Sequence, residues 1–226
     1  MCRMTFETGG KQAALYPGEE DQSPLILLNN DSAEGAPFIQ TMREIDTPDC
    51  SLLVVGNLRW NHDLTPWPCP PVAKNDTPCT GGADEYLKLL LTEILPEARS
   101  LLRGRPRFIG IAGYSLAGLF ALYAMYRCDA FDRAASMSGS LWFPGFRDYV
   151  LTHGMKKRPD MLYLSLGDKE AKTRHELLKT VQDNTEEIVA HYRQLGLNVM
   201  WELNPGNHFR DAELRCAKGI KAMLAS

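Results

Sequence analysis

Two kinds of apolar run alternate along this chain. Short continuous stretches at 24–28, 50–56, 107–112 and 161–166 are rich in Leu, Ile, Val, Met and Ala, as expected of buried strands in a parallel sheet, and 133–138 and 198–203 read as further strands. Between them the apolar residues recur at helical spacing. A short helix is expected over 36–44, and a longer one over 83–102 carries Leu87, Leu90, Leu91, Ile94, Ala98, Leu101 and Leu102 on one face, with Pro96 kinking it or opening its second half. A buried helix follows over 119–126. Another carries Leu177, Leu178, Val181, Ile188, Val189, Tyr192 and Leu195 and stops at Gly196, and a C-terminal helix closes the chain. Segments 4–8 and 12–16, joined across Gly9-Gly10, read as a hairpin at a sheet edge. Strands alternating with helices, without internal repeats, predict one α/β domain over 1–226: a mainly parallel central sheet with helices on both faces.

Two stretches interrupt this rhythm. Segment 57–82 is long, rich in proline and contains Trp60 and Trp67; loops of this length in a compact domain usually serve a site, and two tryptophans suit a packed wall over one. The other is Gly113-Tyr114-Ser115-Leu116-Ala117, followed by Gly118, between a strand and a helix. A serine on a sharp strand-to-helix turn among small residues is a nucleophile elbow, with its hydroxyl raised above the sheet edge at a helix N-terminus. Ala117 stands where a glycine is usual, and meets the same demand for a small side chain.

A serine hydroxyl needs a base, and the base needs a group to orient it. Of the five histidines, His175 and His191 are expected on the amphipathic helix, His153 at a helix end and His62 in the long loop. His208 lies in the loop after the final strand, beyond the carboxyl ends of the strands, where open α/β sheets bind ligands. Glu170 and Asp168 both follow the strand 161–166. Glu170 is preferred as the acid and Asp168 is the alternative, while Asp211 is expected to cap the last helix. The oxyanion hole is expected to use the N–H of Leu116 and a second N–H near Asn30 or Asp31, after the first buried strand.

Composition narrows the chemistry. With 25 basic and 28 acidic side chains in 226 residues and a net charge of −3, the chain has no electrostatic footprint for nucleic acid or an anionic membrane. There is no membrane-length apolar stretch and no apolar signal-peptide core at the N-terminus, so a cytoplasmic protein is expected. The six cysteines show neither C-x-x-C nor metal spacing, and no dinucleotide or nucleotide motif occurs, so no metal and no cofactor is expected. Cys69 and Cys79 flank one loop and would be the pair to bridge in an oxidising compartment; otherwise free thiols are expected. The pattern does not fix an oligomeric state, and a homodimer is compatible with it.

With Gly113-Tyr114-Ser115-Leu116-Ala117-Gly118, then Ser165-Leu166-Gly167-Asp168-Lys169-Glu170 after a strand, and Asn204-Pro205-Gly206-Asn207-His208-Phe209 near the C-terminus, the chain resembles the putative-esterase branch of the α/β-hydrolases, the group of esterase D-like and enterochelin esterase-like enzymes. The segment from Arg59 through Asp63-Leu64-Thr65-Pro66 is similar to that family's R-x-x-D-L-T-P stretch. The resemblance implies an α/β-hydrolase fold and a serine esterase acting on a small-molecule ester, with Ser115 as nucleophile, His208 as base and Glu170 as acid. It also implies a substrate contact for Arg59, for which an ion pair with Asp63 is the competing role. Trp60, Trp67, Trp142 and Phe143 would suit an apolar or aromatic group, or serve as core. Hydrolysis of a siderophore-type ester and acyl transfer are the enzymatic alternatives. A catalytically silent binding protein on a hydrolase fold is the non-enzymatic one.

Overall fold

A computed structural model describes residues 3–72 and 76–225 of the chain; Cys2 and part of the long loop, 73–75, lie outside the described residues. The hairpin strands β1 (Met4–Thr8) and β2 (Lys11–Tyr16) pair antiparallel, with Gly9 and Gly10 at positive φ in the turn. Then come β3 (Leu25–Asn29), helix α1 (Ala36–Glu44) and β4 (Ser51–Gly56). The segment after β4 holds a one-turn helix α2 (Trp60–Asp63) and a two-stranded ribbon of β5 (Pro68–Cys69) and β6 (Cys79–Thr80).

Helix α3 (Ala83–Leu89) runs through a π turn, Leu90–Ile94, into α4 (Leu95–Ser100). Pro96 sits in the first positions of α4, as expected of a residue that opens a helical half. The π turn Leu90–Ile94 immediately precedes α4. Strand β7 (Ile109–Tyr114), helix α5 (Leu116–Arg127), strand β8 (Arg133–Met137), helix α6 (Phe146–Thr152) and strand β9 (Met161–Gly167) follow. The chain closes with α7 (Val181–Gln194), β10 (Val199–Asn204) and α8 (Ala212–Leu224).

The sheet order is β1-β2-β4-β3-β7-β8-β9-β10, antiparallel through β2 and parallel from β4 onward. Side-chain alternation along the central strands divides two cores. Leu25, Leu27, Leu53, Val55, Ile111, Leu162 and Leu164 face α3 to α7, whereas Ile26, Leu28, Leu52, Val54, Ala112 and Tyr163 face α1 and α8. Both faces are therefore apolar and covered, as the continuous runs in the sequence required. The chain crosses from β4 over β3 to β7, so strand order reverses beside β7, and Ser115 lies at the carboxyl end of β7, next to that switch point.

Two expectations change. The strand expected at 107–112 lies two residues later, because Gly113 and Tyr114 continue the ladder opposite Ser136 and Met137. The helix expected to carry His175 starts only after it: His175 is in the preceding turn, its Nδ1 accepting the N–H groups of Leu177 and Leu178 at 3.2 and 3.3 Å.

Candidate active site

Ser115 alone makes the turn between β7 and α5, at φ 59° and ψ −124°, a region that costs a non-glycine residue strain. The strain is held by contacts on both sides. Its N–H donates to Met137 O at 3.1 Å, and its own carbonyl accepts from Gly118, Leu119 and Ser140. Small neighbours are required here. A Cβ on Gly113 would lie 2.3 Å from the Ala117 backbone, and one on Gly118 would lie 2.9 Å from Gly113 O and from Ser136 Oγ. The N–H of Leu116 begins α5, where no intrahelical acceptor exists, and Leu116 lines the same cleft as Ser115.

His208 stands in the loop between β10 and α8. Its Nε2 is 3.1 Å from Ser115 Oγ and its Nδ1 is 2.7 Å from Glu170 Oε2. A carboxylate only accepts, so Nδ1 carries the proton and Nε2 of the neutral ring faces the serine hydroxyl as an acceptor. Glu170 follows β9 and is 4% exposed. Its Oε1 accepts from Ser138 Oγ at 2.7 Å, Gly167 N at 2.6 Å and Arg215 Nη1 at 3.0 Å. Burial pushes the Glu170 carboxyl up, but the His208 hydrogen bond and charge, with the Gly167 and Ser138 bonds, more than offset it and hold it below the ordinary value. Asp168, the other acid considered, turns away and accepts the Gly206 N–H at 2.7 Å, fixing the loop that carries His208. Asp211 stands at the N-cap of α8 in the left-handed region and makes no side-chain cap bond; its carboxylate meets Arg210 Nε at 3.2 Å.

The three side chains open into a cleft of about 540 Å³, within the range of small-molecule sites. One wall comes from the folded 57–82 segment through Trp60, Asn61, Val72, Thr77 and Cys79; Trp142 belongs to the cleft as well. The turn after β9 and the approach to α7 add Lys169, Lys172, Thr173, Leu178 and Val181, and Phe209, 88% exposed, flanks His208. Trp67 and Phe143 are not in the cleft. Trp67 Nε1 donates to Pro144 O at 2.8 Å and its ring packs against Phe143 and Tyr149, so both residues are core.

Arg59 lies apart from the cleft, in a depression with Gly9, Gly10, Lys11 and Asp63. Its guanidinium meets Asp63 Oδ1 at 3.1 Å, and Asp63, 1% exposed, also takes the Arg59 N–H at 2.8 Å and pairs with the Lys11 amine. In this structure the motif is a structural lock: Asp63 ties the wall to the hairpin through Lys11, and Thr65 closes the wall on itself, its Oγ1 accepting the Gly81 N–H at 3.2 Å. The Asn30 N–H donates to Val55 O at 2.9 Å, which removes it as an oxyanion donor. Asn30 and Asp31 line a neighbouring depression that shares Trp60 with the cleft. Cys69 and Cys79 are register partners in the ribbon, and both thiols are buried and free; burial first, then the charge of Cys69, pushes the Cys79 thiol up to about 11.

Sequence reasoning missed three groups here. Ser140 Oγ is 3.3 Å from Ser115 Oγ, Tyr114 Oη donates to His208 O at 2.6 Å, and Arg215 reaches Glu170 from α8. The run of small residues Ser136-Met137-Ser138-Gly139-Ser140 after β8 was the available signal for the serines. Arg215 left none, since an arginine in an amphipathic helix reads as a solvated one. Among the described residues no cluster of His, Cys, Asp and Glu could hold a metal ion, and no helix is long and apolar enough to cross a membrane.

The family model described as "Putative esterase" matches residues 40–208, more than half of the chain and inclusive of Ser115, Glu170 and His208. No curated protein matches the chain significantly. Among solved structures, an IroE-like serine hydrolase from Shewanella oneidensis superposes with a TM-score of 0.81 at 18% identity, over 99% of this chain and 79% of that one. Siderophore hydrolase EstA from Aspergillus nidulans gives 0.76 at 20% identity, over 99% and 94%. The enterobactin esterase from Shigella flexneri gives 0.71 at 16% identity, over 98% of this chain and 58% of that one. At these identities the likeness is one of fold.

Proposed function

Because the chain belongs to the putative esterase family, we propose that it is a serine esterase that cleaves small carboxylic esters through an acyl-enzyme on Ser115. The observation that carries the reading is the unbroken line from Ser115 Oγ to His208 Nε2 and from His208 Nδ1 to Glu170 Oε2, at 3.1 and 2.7 Å, opening into the cleft.

Ser115 Oγ attacks the ester carbonyl while His208 Nε2 takes its proton. The imidazolium so formed is stabilised by Glu170, which stays ionised throughout. The tetrahedral oxyanion is held by the Leu116 N–H at the positive end of α5, with the Asp31 N–H as the second donor in place of Asn30. Collapse breaks the bond to the alcohol oxygen, which receives the His208 proton. Water then attacks the acyl-enzyme carbon and gives a proton to His208. The acid leaves, and the proton returns to Ser115 Oγ. Entry of an alcohol in place of water would give acyl transfer by the same residues.

The test is turnover of p-nitrophenyl acetate and butyrate by the wild type, Ser115→Ala, His208→Ala and Glu170→Gln. We expect losses in kcat of at least about 10⁴-fold for the first two variants and on the order of 10²–10⁴-fold for Glu170→Gln. Turnover by Ser115→Ala at the wild-type rate would overturn the reading and favour a binding protein that hydrolyses activated esters adventitiously.

A narrower second reading is hydrolysis of a siderophore-type ester. Trp60, Trp142 and Phe209 offer aromatic surface, and Lys169 and Lys172 bring two cations to the same cleft. Both features suit an ester with an aromatic, anionic part. Under this reading Lys169→Glu with Lys172→Glu raises KM for an anionic aryl ester at least about tenfold and leaves p-nitrophenyl acetate nearly unchanged; equal effects on both substrates would contradict it.

A further inference from the structure

Arg215 is the largest fully buried side chain, 1% exposed, and it projects from the first turns of α8 to the back of the catalytic groups. Nη1 meets Glu170 Oε1 at 3.0 Å, Ser138 Oγ at 2.9 Å and Tyr114 Oη at 3.2 Å. Nη2 donates to the carbonyls of Pro205 and Asn207, each at 3.1 Å, in the loop that carries His208. The partners are themselves tied to the site: Ser138 donates to Glu170 Oε1, and Tyr114 donates to His208 O. One planar, permanently charged fork thus spans the acid from β9, the loop from β10 and the end of β7. A buried guanidinium is expensive unless its donors are used; both terminal nitrogens of Arg215 are paired while its Nε has no hydrogen-bond partner, and neither the fold nor the ester chemistry requires one at this place on α8.

We propose that Arg215 is a positioning residue for the acid–base pair, fixing Glu170 so that Oε2 faces His208 and pinning the His208 loop to the same fork. This rests on reading the site as a serine esterase. Because Oε1 is taken by Arg215, Ser138 and Gly167, the carboxylate cannot rotate without breaking three bonds, and the remaining oxygen has one place to point. The Pro205 and Asn207 carbonyls bracket Gly206, whose N–H is held by Asp168, so the loop is restrained at three consecutive residues.

The charge has its own consequence. Glu170 and Arg215 stand behind His208, while Lys169 and Lys172 line the cleft in front; the Tyr114 and Phe209 rings flank it without charge. With Arg215 present, part of the Glu170 charge is answered from behind. Without it, the whole carboxylate charge acts on His208 and favours the imidazolium, so the ring becomes a neutral base only at higher pH.

The test compares wild type, Arg215→Met, Arg215→Lys, Glu170→Gln and the double variant Glu170→Gln/Arg215→Met. For each, fluorophosphonate labelling rate, kcat and KM for p-nitrophenyl acetate, the pH profile of kcat/KM and thermal stability are measured. We expect Arg215→Met to lower kcat about 10–100-fold with KM changed by less than about threefold, and to move the acid limb upward in pH. Arg215→Lys keeps the charge but not the fork, so it loses less rate and leaves the limb in place; it also tests the idea if Arg215→Met fails to fold. The double variant removes both buried charges together and is less impaired than the product of the two single losses. A purely structural Arg215 would give lower thermal stability with unchanged labelling rate, kcat and acid limb in the folded variants. That result overturns the inference and leaves the esterase reading intact. If the wild type itself is neither labelled nor active, the esterase reading falls and this inference with it.

Discussion

Glu170 shows how burial and charge are reconciled at a single residue. An ionised carboxylate 4% exposed is tolerable only if its lone pairs are used, and four donors use them: Ser138, Gly167 and Arg215 on one oxygen, His208 on the other. Its lowered folded-state value sets the sign of a pH effect. Stability from ionised Glu170 is complete above the unfolded value and is lost as pH falls below 4.5 and through the lower folded value. Protonated Glu and Gln carry the same charge, so the gap in melting temperature between wild type and Glu170→Gln should narrow steadily as the pH is lowered across that range. A gap that stays constant would mean that folding leaves the proton affinity of the Glu170 carboxyl unchanged. Gly113 offers a second prediction at this scale. Its missing Cβ is what lets Ala117 approach, so Gly113→Ala should cost about 1–3 kcal/mol in urea unfolding by overpacking the elbow. The need for small residues around Ser115 was legible in the sequence. The Glu170 preference over Asp168 rested there on resemblance, because two acids separated by one residue differ only in which way the turn after β9 aims them.

Among the elements, the segment after β4 departs most from its sequence reading. Its composition marked it as a wall beside the site, and Trp60 and Asn61 line the cleft as such a wall would. What composition did not convey is how the wall is held. α2 and the β5/β6 ribbon are too short to leave a periodic signal, and their restraints come from Asp63 and Thr65 bonding across to the hairpin and to Gly81. Removing one partner of the buried Asp63 pair strands the Lys11 charge. Asp63→Ala should therefore destabilise the protein by about 3–5 kcal/mol in urea unfolding. A change under about 1 kcal/mol would show that the lock is dispensable. The extra turn at Leu90–Ile94 had a partial signal in Pro96, which marked the position of a break but not its π geometry.

At the scale of the whole molecule, continuous apolar runs translated directly into doubly covered strands, because a parallel sheet with helices on both faces leaves its central strands no polar side. The same topology explains why residues 55 and 93 positions apart in sequence converge: β7, β9 and β10 run in parallel, so the turn after each emerges at one end of the sheet. Ser115, Glu170 and His208 were legible as strand-end residues for that reason. Arg215 was not, because its role depends on α8 packing beneath β8 and β9, a tertiary relation with no local signature. Family membership and fold agree with an esterase, and the arrangement of these ends makes a specific chemical claim about one serine hydroxyl.

That claim is met most directly by the intact mass of the protein after treatment with a fluorophosphonate, followed by peptide mapping of the adduct. The account predicts a single adduct on Ser115, none on Ser115→Ala, and labelling of His208→Ala slowed at least about 10³-fold, since the hydroxyl is then left without its base. No adduct on the folded wild type, or an adduct on another residue with Ser115 untouched, would contradict it.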